Sequence, residues 1–302
     1  MFYSKIFSSF VLISLFCGTV LHAMPLKIVA TSTDLADLVR QVGGEHVQVY
    51  CLTQGNQDLH FIDPRPSMVV RVKEADILVR IGMGLDQWVE SLILTARNPN
   101  VFIDGPGYLD GSRHIEKGEV PLGRIDGRMG DIHPYGNPHY WLDPMNVVIL
   151  IQDIQQKLSE RVPSKKEFFQ KNAQNYVNKL NASFQIWEKK CESISNKKVV
   201  IYHNSWPYFM KRFGFEIGGT IEPKPGIPPG PLHLAELKKN ITDLHVKMIV
   251  LEPHHPIEIV QKIVSNPKET KVAVLPTSVN MVPRAASYLD LMDILVETVC
   301  SN

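Results

Sequence analysis

Residues 164–194 read SKKEFFQKNAQNYVNKLNASFQIWEKKCESI, and this stretch decides the fold. Phe169, Ala173, Tyr176, Val177, Leu180, Phe184 and Trp187 recur at steps of three and four, one apolar stripe along a helix. About 30 residues at 1.5 Å each give a rod of roughly 45 Å. That is longer than a small domain needs and long enough to run the length of a two-lobed molecule.

The sequence on either side alternates between strand and helix. Before the rod, LKIVAT (26–31), VQVYCLT (47–53), DILVRIG (76–82) and NVFID (100–104) read as strands. Between them lie the helical segments DLADLVRQVG, with Ser32 or Thr33 as cap and Gly43 as stop, PSMVVRVKEA and LDQWVESLILTAR. Residues 105–136 break the rhythm as a long glycine-rich loop. GNPHYWLDP (136–144) and the helix NVVILIQDIQQKLSERV follow. After the rod the alternation restarts with KVVIYH (198–203), VKMIVLE (246–252) and KVAVLP (271–276) as strands. Helices are expected in WPYFMKRFG, capped by Ser205, and in LAELKKNI, IEIVQKIVS and AASYLDLMDILVETVC. Such alternation makes parallel βαβ units. The fold class is α/β: an N-terminal lobe over 24–162, a linking helix over 163–195 and a C-terminal lobe over 196–302, each lobe a parallel sheet flanked by helices. In open α/β sheets ligands bind beyond the carboxyl ends of the strands, so the cleft between the lobes is the expected pocket.

Residues 1–23 differ in kind. Lys5 precedes the apolar run FSSFVLISLFCGTVL, and HAMP follows, the pattern of a secretory signal peptide cleaved after Ala23. Phe16 is too bulky to precede a lipidated Cys17, which argues against a lipid anchor. The whole chain carries 32 Lys and Arg against 31 Asp and Glu, so losing Lys5 leaves the mature chain formally neutral. A balanced charge gives no electrostatic basis for binding nucleic acid. Cys51, Cys191 and Cys300 remain. In an oxidising compartment Cys191 and Cys300, at the ends of predicted helices in the second half, are the natural pair, with three free thiols as the alternative.

Three histidines fall in strand-end loops. His60 lies in QDLHFIDPRPSM after the second strand, His139 in GNPHYWLDP beyond the fourth, and His203 at the end of VVIYH. Neutral imidazole suits zinc, copper, nickel and iron. Donors scattered over both lobes fit one ion held where the lobes meet, and do not fit a zinc finger, which draws its ligands in close pairs. Pro138 fixes the backbone before His139, and Tyr140 and Trp141 can lock it by packing. Asp143 is either an acceptor for an imidazole N–H or the cap of the helix starting near Pro144. His22, His46, His233 and His245 read as structural or surface residues. His114 and His133 sit in the long loop, and His254 and His255 follow Glu252 at a strand end; all four read as surface residues with an auxiliary metal role as the alternative.

QDLHFIDPRPSM, GNPHYWLDP, YHNSWPYFMKRFG and IEPKPGIPPGPLHLAEL together resemble the metal-binding subunits of ABC transporters for zinc and manganese, and most resemble the periplasmic zinc-uptake proteins. The resemblance implies two lobes joined by a rigid helix, with a metal in the cleft and His60, His139 and His203 as its ligands. It also implies a periplasmic monomer that serves a permease and its ATPase. The family commonly adds an aspartate just after the last strand. Here LPTSVN puts Thr277 and Ser278 there, leaving water, Glu252 or Asp290 for the fourth position. Relatives of this kind often carry a histidine-rich acidic loop before the second ligand; this one is shorter and holds His114 and His133. Manganese-selective relatives place a carboxylate at the position of His203. The nitrogen here favours Zn²⁺ over Mn²⁺ or Fe²⁺.

Three histidines with an open fourth position also describe a catalytic zinc site. A secreted zinc hydrolase is therefore the rival reading. It needs a general base, for which Glu252 is the one candidate, and the chain has no HExxH helix.

Overall fold

In the computed structural model, which describes residues 24–123, 130–264 and 268–301, the β-rich runs form two separate sheets. The signal peptide expected over residues 1–23 lies outside the described residues. β1 (Leu26–Ala30), β2 (Val47–Cys51), β3 (Ile77–Arg80) and β4 (Tyr108–Asp110) make the first sheet, in the order β2-β1-β3-β4. β5 (Lys198–Ile201), β6 (Glu216–Thr220), β7 (Met248–Leu251) and β8 (Lys271–Val274) make the second, in the order β6-β5-β7-β8. Every pairing between these strands is parallel. The central strands β3 and β7 are buried at every residue, as strands covered on both faces must be. In both sheets the order reverses beside the first strand, which opens a crevice at the carboxyl ends.

The fourth strand is not where the sequence suggested. NVFID (100–104) turns instead of extending. Asp104 takes a left-handed φ of 62°, and the Gly105 and Gly107 amides fold back onto Phe102 and Asn100. Val101 alone in that run is buried, while Phe102 and Ile103 are exposed, so the stretch has no two-sided burial to hold it in a sheet. The strand forms four residues later, at Tyr108–Asp110.

In the first lobe the helices are α1 (Thr33–Gly43), α2 (Pro66–Lys73), α3 (Trp88–Ala96) and α4 (Pro144–Arg161). Ser32 caps α1 by accepting from the Leu35 amide, and Gly44 at φ 53° ends it. α2 and α3 cover the outer face of the first sheet through Met68, Val72, Val89 and Leu92. α5 (Lys166–Glu192) is the long rod, 27 residues preceded by a 3₁₀ turn at Pro163–Lys165. Its buried residues are Phe169, Ala173, Tyr176, Leu180, Trp187 and Cys191, the stripe foreseen in the sequence except that Val177 and Phe184 are only partly covered. In the second lobe α7 (Pro231–Asp243) and α8 (Ile257–Ile263) cover the outer face. α6 (Pro207–Arg212) and α9 (Tyr288–Val299) lie on the inner face. Ser205 does not cap α6; Trp206 holds the cap position and Pro207 starts the helix with its φ already set.

Cys191 at the end of α5 and Cys300 after α9 form a disulfide, and Cys51 is free. The inner faces of both sheets share one continuous core. Ile28 and Val79 of the first lobe and Val199 and Val250 of the second belong to the same contiguous set of buried side chains, with α1, α4, α5 and α9 between them. Among the described residues no helix is long and apolar enough to cross a membrane.

Candidate metal centre

The loops leaving β2, β4, β5 and β8 meet in a cavity of about 240 Å³ between the lobes, lined by His60, His139, Trp141, His203, His255 and Thr277 among others. The ring nitrogens of His60, His139 and His203 offer donor atoms all within 4.8 Å of one another. His139 and His203 are buried and His60 is half-buried.

Each ring is aimed by a bond at its far nitrogen. Asp58 Oδ1 accepts from the His60 amide at 2.9 Å and lies 2.7 Å from His60 Nδ1. Asn137 Oδ1 repeats the device two residues before His139, 3.0 Å from the amide and 3.0 Å from Nδ1. Glu222, just past β6, lies 2.7 Å from His203 Nδ1 and also accepts from the Gly226 amide. An acceptor at Nδ1 fixes the proton there and leaves Nε2 as a free lone pair.

The loops are themselves pinned. Trp88 Nε1 donates to Leu59 O beside His60. Tyr140 donates to Ile81 O, and Trp141 Nε1 donates across the cleft to Thr277 O. The His139 ring packs 5.3 Å from Trp141. Asp143 has the second of its two suggested roles: it caps α4 through the Met145 amide and pairs with Arg212 at 2.7 and 2.8 Å. The acceptor that holds His139 is Asn137.

Burial drives His139 well below the ordinary histidine range, with His60, His203 and His133 adding repulsion. His203 goes the other way. Burial opposes its charge, but the bond to Glu222 and the nearby Glu252 carboxylate outweigh that and raise its pKa. Burial also disfavours charge on Asp58, yet the His60 ring bound to it holds the carboxyl below its usual range.

The remaining sequence candidates separate clearly. Thr277 and Ser278 line the cavity and bring no carboxylate. Glu252 is 1% exposed and stands 3.2 Å behind His255 Nε2, outside the cavity lining. The pair is close but not aligned as a hydrogen bond. Asp290 sits in the first turn of α9, where it bonds Ser287, and is also outside the lining. His254 and His255 also line the cavity, His255 stacked on Tyr202 at 4.1 Å and with its ring centre 6.1 Å from that of His203. His114 is 52% exposed and pairs with Asp153 on the α4 side, outside the cavity lining. His133 does approach: its Nε2 lies 3.2 Å from Nε2 of His60, and burial depresses its pKa to about 3.

Asp58, Asn137 and Glu222 were missed in the sequence. The first two share a readable signal, an Asp or Asn two residues before a candidate histidine. Glu222 has none, because only the fold brings β6 beside β5.

The family model described as ZnuA, zinc-uptake complex component A, periplasmic, matches residues 28–301. The zinc-binding lipoprotein AdcA of Streptococcus pneumoniae serotype 4 is 28% identical over 229 residues, 75% of this chain and 45% of that protein. The manganese ABC transporter substrate-binding lipoprotein PsaA of the same organism is 28% identical over 202 residues, 63% of this chain and 60% of that protein. The chain thus spans less than two thirds of the length of these relatives. A crystal structure of ZnuA superposes with a TM-score of 0.76 at 20% identity, over 91% of this chain and 98% of the other.

Proposed function

Because the chain belongs to the family of periplasmic zinc-uptake component A, we propose that it is an extracytoplasmic substrate-binding protein whose cargo is Zn²⁺. It holds the ion in the cleft through Nε2 of His60, His139 and His203 and passes it to a membrane permease driven by an ATPase. The observation that carries this reading is the convergence of three imidazoles from both lobes, each with its Nδ1 already engaged by Asp58, Asn137 or Glu222. Such a site is organised before the ion arrives, so little of the binding energy goes into ordering it. Two nearby carboxylates, Asp58 and Glu222, supply charge to balance a divalent cation without touching it.

The relatives bear zinc in one name and manganese in another, so the family does not choose the metal. The donor set does. Uncharged nitrogen favours zinc, whereas manganese and ferrous iron favour sites richer in oxygen. Glu252, withdrawn behind His255, is poorly placed to serve a metal-bound water, and the protein acts by binding and release without chemistry on the ion. It works outside the inner membrane as a monomer. Titration of the full chain with zinc and manganese in competition tests the reading. One zinc per chain, displaced by manganese only in large excess, is expected, and His139→Ala abolishes most of the affinity. A preference for manganese overturns the choice of metal, and unchanged binding by His139→Ala overturns the site.

A further inference from the structure

The side chain of Asn137 is bonded on every side. Its Oδ1 accepts from the His139 amide and from His139 Nδ1. Its Nδ2 donates one proton to Glu119 Oε2 at 2.9 Å and the other to Asn204 O at 2.8 Å. Turned over, the group would set its NH₂ against the His139 amide and its oxygen against a carboxylate and a carbonyl, so the network admits one orientation. Asn204 directly follows His203 in the second lobe, and its Nδ2 donates to the same Glu119 oxygen at 2.9 Å. One carboxylate oxygen thus joins the group behind His139 to the residue beside His203. The segment carrying it is clasped from both lobes. Tyr208 of α6 accepts from the Gly118 amide at 2.9 Å and donates to Glu116 O at 3.3 Å, while Gly118 O accepts from the Asn137 amide at 2.8 Å. Glu119 itself takes a left-handed φ of 53°, a conformation that favours glycine, so its side chain is kept at a cost to the backbone.

We propose that Glu119 is a positioning residue for the metal site, which acts through Asn137 to set the tautomer of His139 and ties that setting to the docking of the His203 loop; the inference rests on the reading of His60, His139 and His203 as ligands. Glu119 is exposed, so water and salt screen its charge, and what it supplies is an acceptor in the right place. Glu119, Asn137, His139, His203 and Asn204 all line a second cavity of about 260 Å³, which leaves the Asn137 amide room to turn once Glu119 lets go. An NH₂ group facing His139 Nδ1 would need a lone pair there and move the ring proton to Nε2, the atom that must receive the ion. The link also runs across the cleft. A shift of the His203 loop withdraws Asn204 O from Asn137 and the Asn204 amide from Glu119, which frees Asn137 and with it His139. Displacing one loop therefore loosens two ligands, one from each lobe.

Proton–nitrogen NMR correlations of the imidazole rings in the full chain, before and after zinc, together with chelator-competition titrations of Glu119→Ala and Glu119→Gln, test this. In the metal-free parent His139 should carry its proton on Nδ1, and zinc should shift its Nε2 signal. Glu119→Ala removes an exposed side chain from outside the core, so the fold stays intact. It should show a mixture of both tautomers at His139 and lose about ten- to a hundredfold in zinc affinity while still binding one ion. Glu119→Gln keeps an oxygen within reach of both amides without the charge, and should match the parent in tautomer and affinity. An unchanged tautomer or an unchanged affinity in Glu119→Ala, or a tenfold or greater loss in Glu119→Gln, overturns the role of Glu119 alone. A His139 signal that zinc does not move in the parent overturns the ligand reading beneath it as well.

Discussion

Asp58 and Asn137 each spend one oxygen on two bonds, to the backbone amide and to the ring Nδ1 of the histidine two residues on. This local turn aims an imidazole with no help from the rest of the fold. Glu222 does the same for His203 from a distance. Glu222→Gln should keep one oxygen acceptor but lose the charge, and weaken zinc binding by about 10–100-fold, the usual cost of altering the groups behind metal ligands. A competition titration against a chelator of known affinity measures it. The acidities of the rings predict the pH profile. Binding requires unprotonated imidazole. His139 is held neutral by burial, whereas the folded, metal-free protein keeps a proton on His203 to higher pH than usual. Zinc affinity should therefore be full above the raised His203 value and fall as pH drops through it. The slope there should be close to tenfold per pH unit, and a slope near a thousandfold would contradict the ring assignments. At this scale the three histidines were legible because each follows a strand. His133 was not distinguished from His114, since both lie in one aperiodic loop and only tertiary contact separates them.

α5 was legible from its stripe alone, and its length came out close to the expectation because an amphipathic period persists whatever it packs against. β4 was misplaced. The run NVFID has the composition of a strand, but only Val101 found a core to enter, and composition does not reveal which residues the neighbouring elements will cover. The disulfide connects the ends of α5 and α9 across 109 residues of chain. Closing so long a loop restricts the unfolded chain strongly, so Cys300→Ser should lower stability by about 2–5 kcal/mol. Chemical denaturation should show that loss with zinc stoichiometry unchanged, because both cysteines stand outside the cavity lining.

The two lobes are less independent than alternating βαβ signals suggested. Besides the shared core, the Thr33 hydroxyl donates to Val279 O, Asp34 accepts from the Val279 amide and Asp37 from the Tyr288 amide, while Tyr288 donates to Trp141 O. A side chain at Gly55 would strike the backbone of Val279–Met281, so the loop bearing His60 rests directly on the second lobe. Such a seam favours release of metal by a local shift of one loop over a wide hinge motion. Asp34 sits within it, and burial pushes its carboxyl up to about 7. The folded protein then holds a proton that the unfolded chain gives up near pH 4. Its contribution is fully favourable below that value and is lost as pH rises through about 7. Asp34→Asn keeps the acceptor for Val279 and removes the penalty. It should stabilise the protein by up to about 4 kcal/mol at pH 8 and by less at pH 5, read from denaturation curves at the two values.

The central claim is that donors from both lobes close on one divalent ion. A crystal structure of the zinc-loaded protein with anomalous scattering collected at the zinc edge tests it most directly. The account predicts one peak in the cleft, about 2.0–2.1 Å from Nε2 of His60, His139 and His203 together. A peak bound to one lobe alone, or no peak among these rings at saturating zinc, would contradict it.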